Sequence, residues 1–348
     1  MNPYVLTILL SSLGLGTTMT FASSHWLLAW MGLEINTLAI VPMMAYQHHP
    51  RAVEATTKYF LTQATAAAML LFASTTNAWI TGQWEITQLS HPIASSIAVT
   101  ALALKIGLAP MHFWLPEVLQ GITLTTGLVL STWQKLAPFA LILQVADNAH
   151  PYLLTTLAIS STLVGGWGGL NQTQLRKILA YSSIAHLGWM ILVAQMAPQM
   201  TLMALITYIA MTTAAFLTLN NVGSTKTITL ASAWTKAPTL TALACLILLS
   251  LGGLPPLTGF MPKWLILQEV TSQGFPLTAT VMALTALLSL YFYLRLSYAM
   301  TLTLSPYTIN STAPWRTATK QPSLPLSTAI VLSTCLLPLT PTALALLA

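Results

Sequence analysis

Four ionisable side chains sit in stretches that are otherwise apolar: Glu34 in "AWMGLEINTLAI", Lys105 in "LKIGLAPMHFWLPE", Lys135 in "STWQKLAPFA" and Lys263 in "LSLGGLPPLTGFMPKW". The three bases are all lysine and none is arginine. Burial lowers the pKa of a lysine and a neighbouring carboxylate raises it, so a lysine held between these influences can titrate near neutral pH, where an arginine stays charged. That choice suits proton transfer better than fixed charge. Two histidines belong to the same set. His186, in "AYSSIAHLGWM", lies mid-segment near Tyr181, Ser182 and Ser183, and His112, in "APMHFWLPE", follows a proline break. Each reads either as a structural histidine or as a proton relay, because imidazole titrates in the physiological range.

The elements that must hold these groups follow from composition. Of 348 residues, 55% are hydrophobic and only 5% are Asp, Glu, Lys or Arg, against about 25% charged in an ordinary soluble domain. So few charges cannot cover a water-soluble fold of this length, and lipid must be the main solvent. Apolar segments of about 20 residues follow one another, each long enough to span a bilayer as a helix. Strand alternation is absent, which argues against a β-barrel. The chain therefore reads as an all-α polytopic membrane protein of about eleven helices, over 2–22, 25–45, 56–80, 92–120, 122–146, 151–170, 174–195, 199–222, 238–271, 276–299 and 325–346. The fourth and ninth are over-long and contain proline and glycine breaks. The first has neither a basic n-region nor an A-x-A-like cleavage site, and no Arg-rich transit peptide precedes it, so it reads as a retained helix.

At bilayer depth a charged group costs at least about 2.5–3.5 kcal/mol, so its default reading is functional. A helix-gluing salt bridge between Glu34 and Lys105 is the competing account of that pair. One acid cannot neutralise three lysines, so glue is a poor account of the set.

Eleven spans sort the loops onto two sides. One side, with the N-terminus, carries Arg51, Lys58, Arg176, Lys177, Lys226, Lys236, Arg295, Arg316 and Lys320; the other carries Glu85, Asp147 and Glu269 but no Lys or Arg. The positive-inside rule puts the basic side on the matrix or cytoplasmic face and the C-terminus opposite. In a membrane with anionic lipid those basic loops are expected to meet headgroups or partner subunits.

Helices one to five and six to ten resemble two copies of a unit, over 1–146 and 150–300, followed by a loop and last helix over 301–348. In each copy the fourth helix is broken, and the second carries a mid-span ionisable residue, Glu34 or His186. An odd number of helices per copy inverts the second copy in the membrane. Inverted repeats with paired broken helices point to an ion path near the midplane, and a break is tolerable there only beside protein or water. Lys105, Lys135, His186 and Lys263 are expected to line one hydrated track, with Glu34 within ion-pair reach of Lys105, directly or through one water.

Other chemistry finds little support. Cys245 and Cys335 are far apart in apolar segments and read as small core residues, which excludes a self-contained iron–sulfur or structural zinc site. His48, His49, His91 and His150 fall in loops on opposite sides, so no metal site is expected of them. No G-x-G-x-x-G follows a strand, and the glycines of "LVGGWGGLNQ" read as helix packing. No nucleic-acid partner is expected.

The strings "LAPMHFWLPEVLQG", "ILAYSSIAHLGWM" and "LSLGGLPPLTGFMPKW" resemble the antiporter-like subunits of respiratory complex I, which are related to multi-subunit cation/proton antiporters. The resemblance covers essentially the whole chain. It implies redox-driven proton pumping in the inner mitochondrial membrane, with the family's acidic residue at Glu34, its lysines at Lys105, Lys135 and Lys263, and a polar position on the axis at His186. It also implies that NADH, FMN, iron–sulfur clusters and ubiquinone act in or with other subunits, so that no cofactor is held by this chain. The partners it implies are membrane-arm subunits, including neighbouring antiporter-like ones, and an anionic phospholipid such as cardiolipin. Related bacterial subunits have fourteen helices, and this chain resembles one lacking the first three. An autonomous cation/proton antiporter and a purely structural membrane scaffold are the rival readings.

Overall fold

In a computed structural model the described residues are 2–235, 237–302 and 324–347. Lys236, Arg316 and Lys320 lie outside them. Among the described residues the chain is helical, α1 to α15: Pro3–Ala22, Trp26–Ala45, Pro50–Thr81, Pro92–Ile106, Trp114–Gly121, Leu124–Val145, Pro151–Gly169, Leu175–Val193, Pro198–Val222, Thr227–Ala231, Pro238–Gly252, Phe260–Ser272, Pro276–Leu302, Leu324–Cys335 and Thr340–Leu347. Five of these, α1, α2, α6, α9 and α13, are long and apolar enough to cross a membrane by length and composition. Large apolar side chains such as Trp79, Tyr4 and Leu277 face outward, as they do where lipid replaces water.

Local chemistry sets many of the helix starts. His49–Pro50 and His91–Pro92 each place a histidine at the cap and a proline in the first turn, where a missing N–H costs nothing. Nδ1 of His49 accepts from the Arg51 amide at 3.2 Å, and Nδ1 of His91 from Ala94 at 3.4 Å. His25 caps α2 in the same way. The cap at His49 starts α3 six residues earlier than apolarity alone predicts.

The two over-long segments break as expected, into α4 and α5 and into α11 and α12. Both end their first piece alike. Gly107 (φ 88°) and Gly253 (φ 81°) adopt the left-handed conformation that terminates a helix. The next amide reaches back five residues, Leu108 to the Ala103 carbonyl at 2.9 Å and Leu254 to the Leu249 carbonyl at 3.3 Å. The second piece starts seven residues after each glycine, at Trp114 and Phe260. Two features depart from expectation. The last segment is split into α14 and α15 around a 3₁₀ turn, Leu337–Leu339, because Pro338 cannot continue a helix. A short helix, α10, occupies what reads as a loop.

The chain divides into two compact units, Met1–Ser161 and Thr162–Ala348, with the boundary inside α7. In the first, α2, α3, α4 and α6 pack around Trp26, Ile40, Tyr59, Leu70 and Phe139. In the second, α9, α11, α13 and α14 pack around Tyr208, Phe216 and Phe292. The glycine run at the end of α7 serves close approach: a Cβ on Gly165 would lie 2.8 Å from the Tyr181 carbonyl oxygen, and one on Gly169 2.7 Å from the Phe292 ring. Cys245 is buried, whereas Cys335 is exposed at the end of α14; the proline that splits this segment leaves that position outside the core.

Candidate functional site

The break after Ile106 frees the last carbonyls of α4, and those of Ala103, Leu104 and Lys105 find donors. Ala103 accepts from the Gly107 and Leu108 amides. The Leu104 carbonyl accepts from the Trp114 indole at 3.0 Å, and the Lys105 carbonyl from the Gln63 amide at 3.4 Å. Lys105 thus sits in the last turn of a helix, where the macrodipole favours a cation. Its side chain is only 6% exposed, and that of Lys135 on α6 only 3%.

Both lysines line one cavity of about 20 Å³, room for about one water. Its polar wall is completed by Asn36, Thr37, Tyr59, Gln63 and Gln134. Glu34 and Lys105 make no direct ion pair, and Glu34 Oε2 and Lys105 Nζ are buried without a hydrogen-bond partner among the described residues. Of the two arrangements expected from sequence, a direct pair or one through a water, the direct pair is not formed. Among the described residues the ion pairs are instead those of Lys58, to Glu54 and to Glu117, each at 2.7 Å. Glu54, in the first turns of α3 ahead of the apolar span, is held below the usual carboxylate range chiefly by hydrogen bonding to that ammonium.

In the second unit Lys263 lies at the break between α11 and α12. Its Nζ donates to the Gly252 carbonyl oxygen at 2.8 Å, so the ammonium caps the interrupted helix. The glycine and proline run thus leaves a carbonyl that the lysine beside it satisfies. His186 on α8 is 9% exposed and lies 5.7 Å, centroid to centroid, from the Tyr208 ring. The helices bearing Lys263 and His186, α12 and α8, pack against each other. His112 is buried in the first break, with Nδ1 3.3 Å from the Pro110 carbonyl oxygen; it does not line the cavity.

Sequence reasoning by charge passed over Asn36, Gln63, Gln134 and Glu117. The signal for Asn36 was present, an amide two residues from Glu34 in an apolar string. Glu117 follows Pro116 as Lys263 follows Pro262, and each stands ten residues after its helix-ending glycine.

Comparison with known proteins agrees with this architecture. A profile described as "NADH:quinone oxidoreductase/Mrp antiporter, TM" matches residues 23–289, and one described as "NADH dehydrogenase subunit 2 C-terminus" matches 290–344. NADH-ubiquinone oxidoreductase chain 2 of Carassius auratus is 75% identical over 98% of each chain, and that of Oncorhynchus mykiss 71% identical over the full length of both. A chain in the structure of respiratory complex I from Thermus thermophilus superposes with a TM-score of 0.87 at 30% identity, over all of this chain and 81% of that one. Full-length identity at this level and two family profiles that together span nearly the whole chain leave one assignment: the chain belongs to the NADH-ubiquinone oxidoreductase chain 2 family.

Proposed function

We propose that this chain is a membrane-arm subunit of a proton-translocating NADH:ubiquinone oxidoreductase in the inner mitochondrial membrane, and that it moves protons without holding a redox centre. The observation that carries the proposal is the buried cavity shared by Lys105 and Lys135. Two lysines line one small polar space, so a proton can pass between them without either helix moving far. Glu34 biases Lys105 by charge and acts as the switch that retains or releases its proton. Lys263, with His186 and His112 as relays, serves the broken helices. The recurrence of the glycine end, the back-reaching amide and the restart of the helix supports two inverted copies of a five-helix unit, at residues 1–146 and 150–300, within eleven spans. On that count the N-terminus is on the matrix side, the C-terminus faces the intermembrane space, and the basic loops meet membrane-arm partners and anionic phospholipid such as cardiolipin. The chain 2 relatives and the complex I likeness favour a subunit over an autonomous antiporter.

The deciding experiment is Lys135→Met in an otherwise assembled complex. Proton pumping and coupled NADH oxidation are expected to fall together by about tenfold or more, in the range of a lost acid–base group. Assembly with undiminished pumping overturns the reading and leaves the lysine as scaffold.

A further inference from the structure

We propose that Asn36 is a positioning residue, which holds a water in the unit-one cavity and thereby joins Lys105 to Lys135 for proton transfer. The inference rests on reading those lysines as proton carriers. Asn36 is 2% exposed, lines the cavity with both lysines, and has neither its Oδ1 nor its Nδ2 satisfied by the chain. Lys105 Nζ is likewise without a protein partner. A buried amide left this way carries a desolvation cost, and a cavity with room for about one water and several polar walls removes it.

The second unit supplies an internal control. His25 bridges to Glu85 and Gln174 to Lys226, each pair joining the start of one helix to the chain after the next. His25 and Gln174 are 149 residues apart, as are Gly16 and Gly165. A Cβ on Gly16 would lie 2.8 Å from the Gly32 carbonyl oxygen, and one on Gly165 2.8 Å from the Tyr181 carbonyl oxygen, again 149 residues on. At that spacing Asn36, whose amide oxygen crowds Gly16, corresponds to Ala185, which crowds Gly165. Alanine therefore satisfies the packing against glycine. The amide at 36 is present for something packing does not require, and it lines a cavity with two lysines.

The chemistry balances. The Lys105 ammonium gives a proton to the water oxygen while the water gives one of its own to a neutral Lys135 amine, which leaves Lys105 neutral, Lys135 charged and the water restored. Asn36 donates to the water through Nδ2 and accepts through Oδ1. An amide does both without competing for the proton.

The test uses assembled complex carrying Asn36→Leu, Asn36→Ala or Asn36→Ser, beside Lys135→Met. Asn36→Leu and Asn36→Ala are expected to assemble, to lower coupled NADH oxidation about three- to tenfold, as the loss of one ordering hydrogen bond does, and to raise the solvent deuterium isotope effect. Asn36→Ser, which keeps a donor and an acceptor, is expected to recover most of the rate. Wild-type rates in Asn36→Leu overturn the proposal, as does a slowed rate with an unchanged isotope effect and no recovery in Asn36→Ser. Should the variants fail to assemble, a high-resolution map of the unmodified complex decides: ordered water within hydrogen-bond reach of the Asn36 amide supports the proposal, and its absence there overturns it. Silent Asn36 variants beside a damaged Lys135→Met sink only this inference; a silent Lys135→Met sinks the function on which it rests.

Discussion

On the proposed function Lys263 carries two demands at once, to cap a helix and to release a proton. Its ammonium holds the Gly252 carbonyl at the end of α11, a place where the helix macrodipole also favours positive charge by about 0.3–1 kcal/mol. A residue that must cap a broken helix and also release a proton has to be lysine. Arginine satisfies the first demand and not the second. Lys263→Arg is therefore expected to keep the thermal stability of the assembled complex and lose pumping, whereas Lys263→Met loses both; equal pumping in Lys263→Arg and wild type refutes the titrating role. Lys135, mid-helix on α6, allows a second form of this test: Lys135→Arg should fail to restore what Lys135→Met removes. On the proposed function Glu34 acts on Lys105 without a direct ion pair, so Glu34→Gln is expected to slow turnover several-fold rather than abolish it. Infrared titration of Lys105 in the same variant checks the cause, and a Lys105 transition that does not move removes Glu34 from the mechanism.

At the scale of elements, close approach of backbones does the positioning. A Cβ on Gly16 would meet the Gly32 carbonyl oxygen at 2.8 Å as well as the Asn36 amide oxygen, while one on Gly14 would meet nothing within 4 Å. Backbone cannot yield as a side-chain tip can, so Gly16→Ala must push α1 off α2, at a cost of about 1–3 kcal/mol. Gly14→Ala should be neutral or stabilising by up to about 1 kcal/mol. Melting temperatures of the two complexes check this, and equal values exclude tight α1–α2 packing. Much of this level was legible in the sequence. Both breaks announced themselves, because Gly-Leu-x-Pro supplies the left-handed end and then bars the helix from resuming. The split of the last segment was less visible: Pro338 lies in an apolar string whose hydropathy carries the eye across it. The cavity wall was legible only in part. Charge at bilayer depth marks Glu34 and the lysines by its cost alone, whereas Asn36, Gln63 and Gln134 are neutral amides whose purpose depends on which neighbours the fold gives them. The sequence likewise leaves open whether Glu34 and Lys105 pair directly or through a water, because side-chain direction from two different helices decides whether two charges at one depth touch; in the structure they make no direct pair.

At the scale of the whole chain, the positions of the basic residues decide orientation. Among the described ones, Arg51 lies in the first turn of α3, Arg176 and Lys177 in that of α8, and Lys226 caps α10, while acidic Glu85 lies on the opposite end of α3. In the first unit the His25–Glu85 bridge ties the α1–α2 turn to the α3–α4 loop, so these two connections share one end, and the α2–α3 turn at Gln47 lies at the other. By the positive-inside rule the Arg51 end is expected on the matrix side, as proposed above. A membrane-impermeant maleimide tests that assignment without disturbing the core. Gln47 and Gln83 are both exposed, one at each end of the unit, and each accepts cysteine without a change of backbone. Cys335 is exposed and would react, so Cys335→Ser is the background for both. Gln47→Cys is expected to label in inverted inner-membrane particles and to stay unlabelled in mitoplasts, and Gln83→Cys to do the reverse. Labelling of both from one face refutes the helical hairpin order of the first unit, and a clean exchange of the two patterns refutes the matrix position of the N-terminus while leaving that order intact.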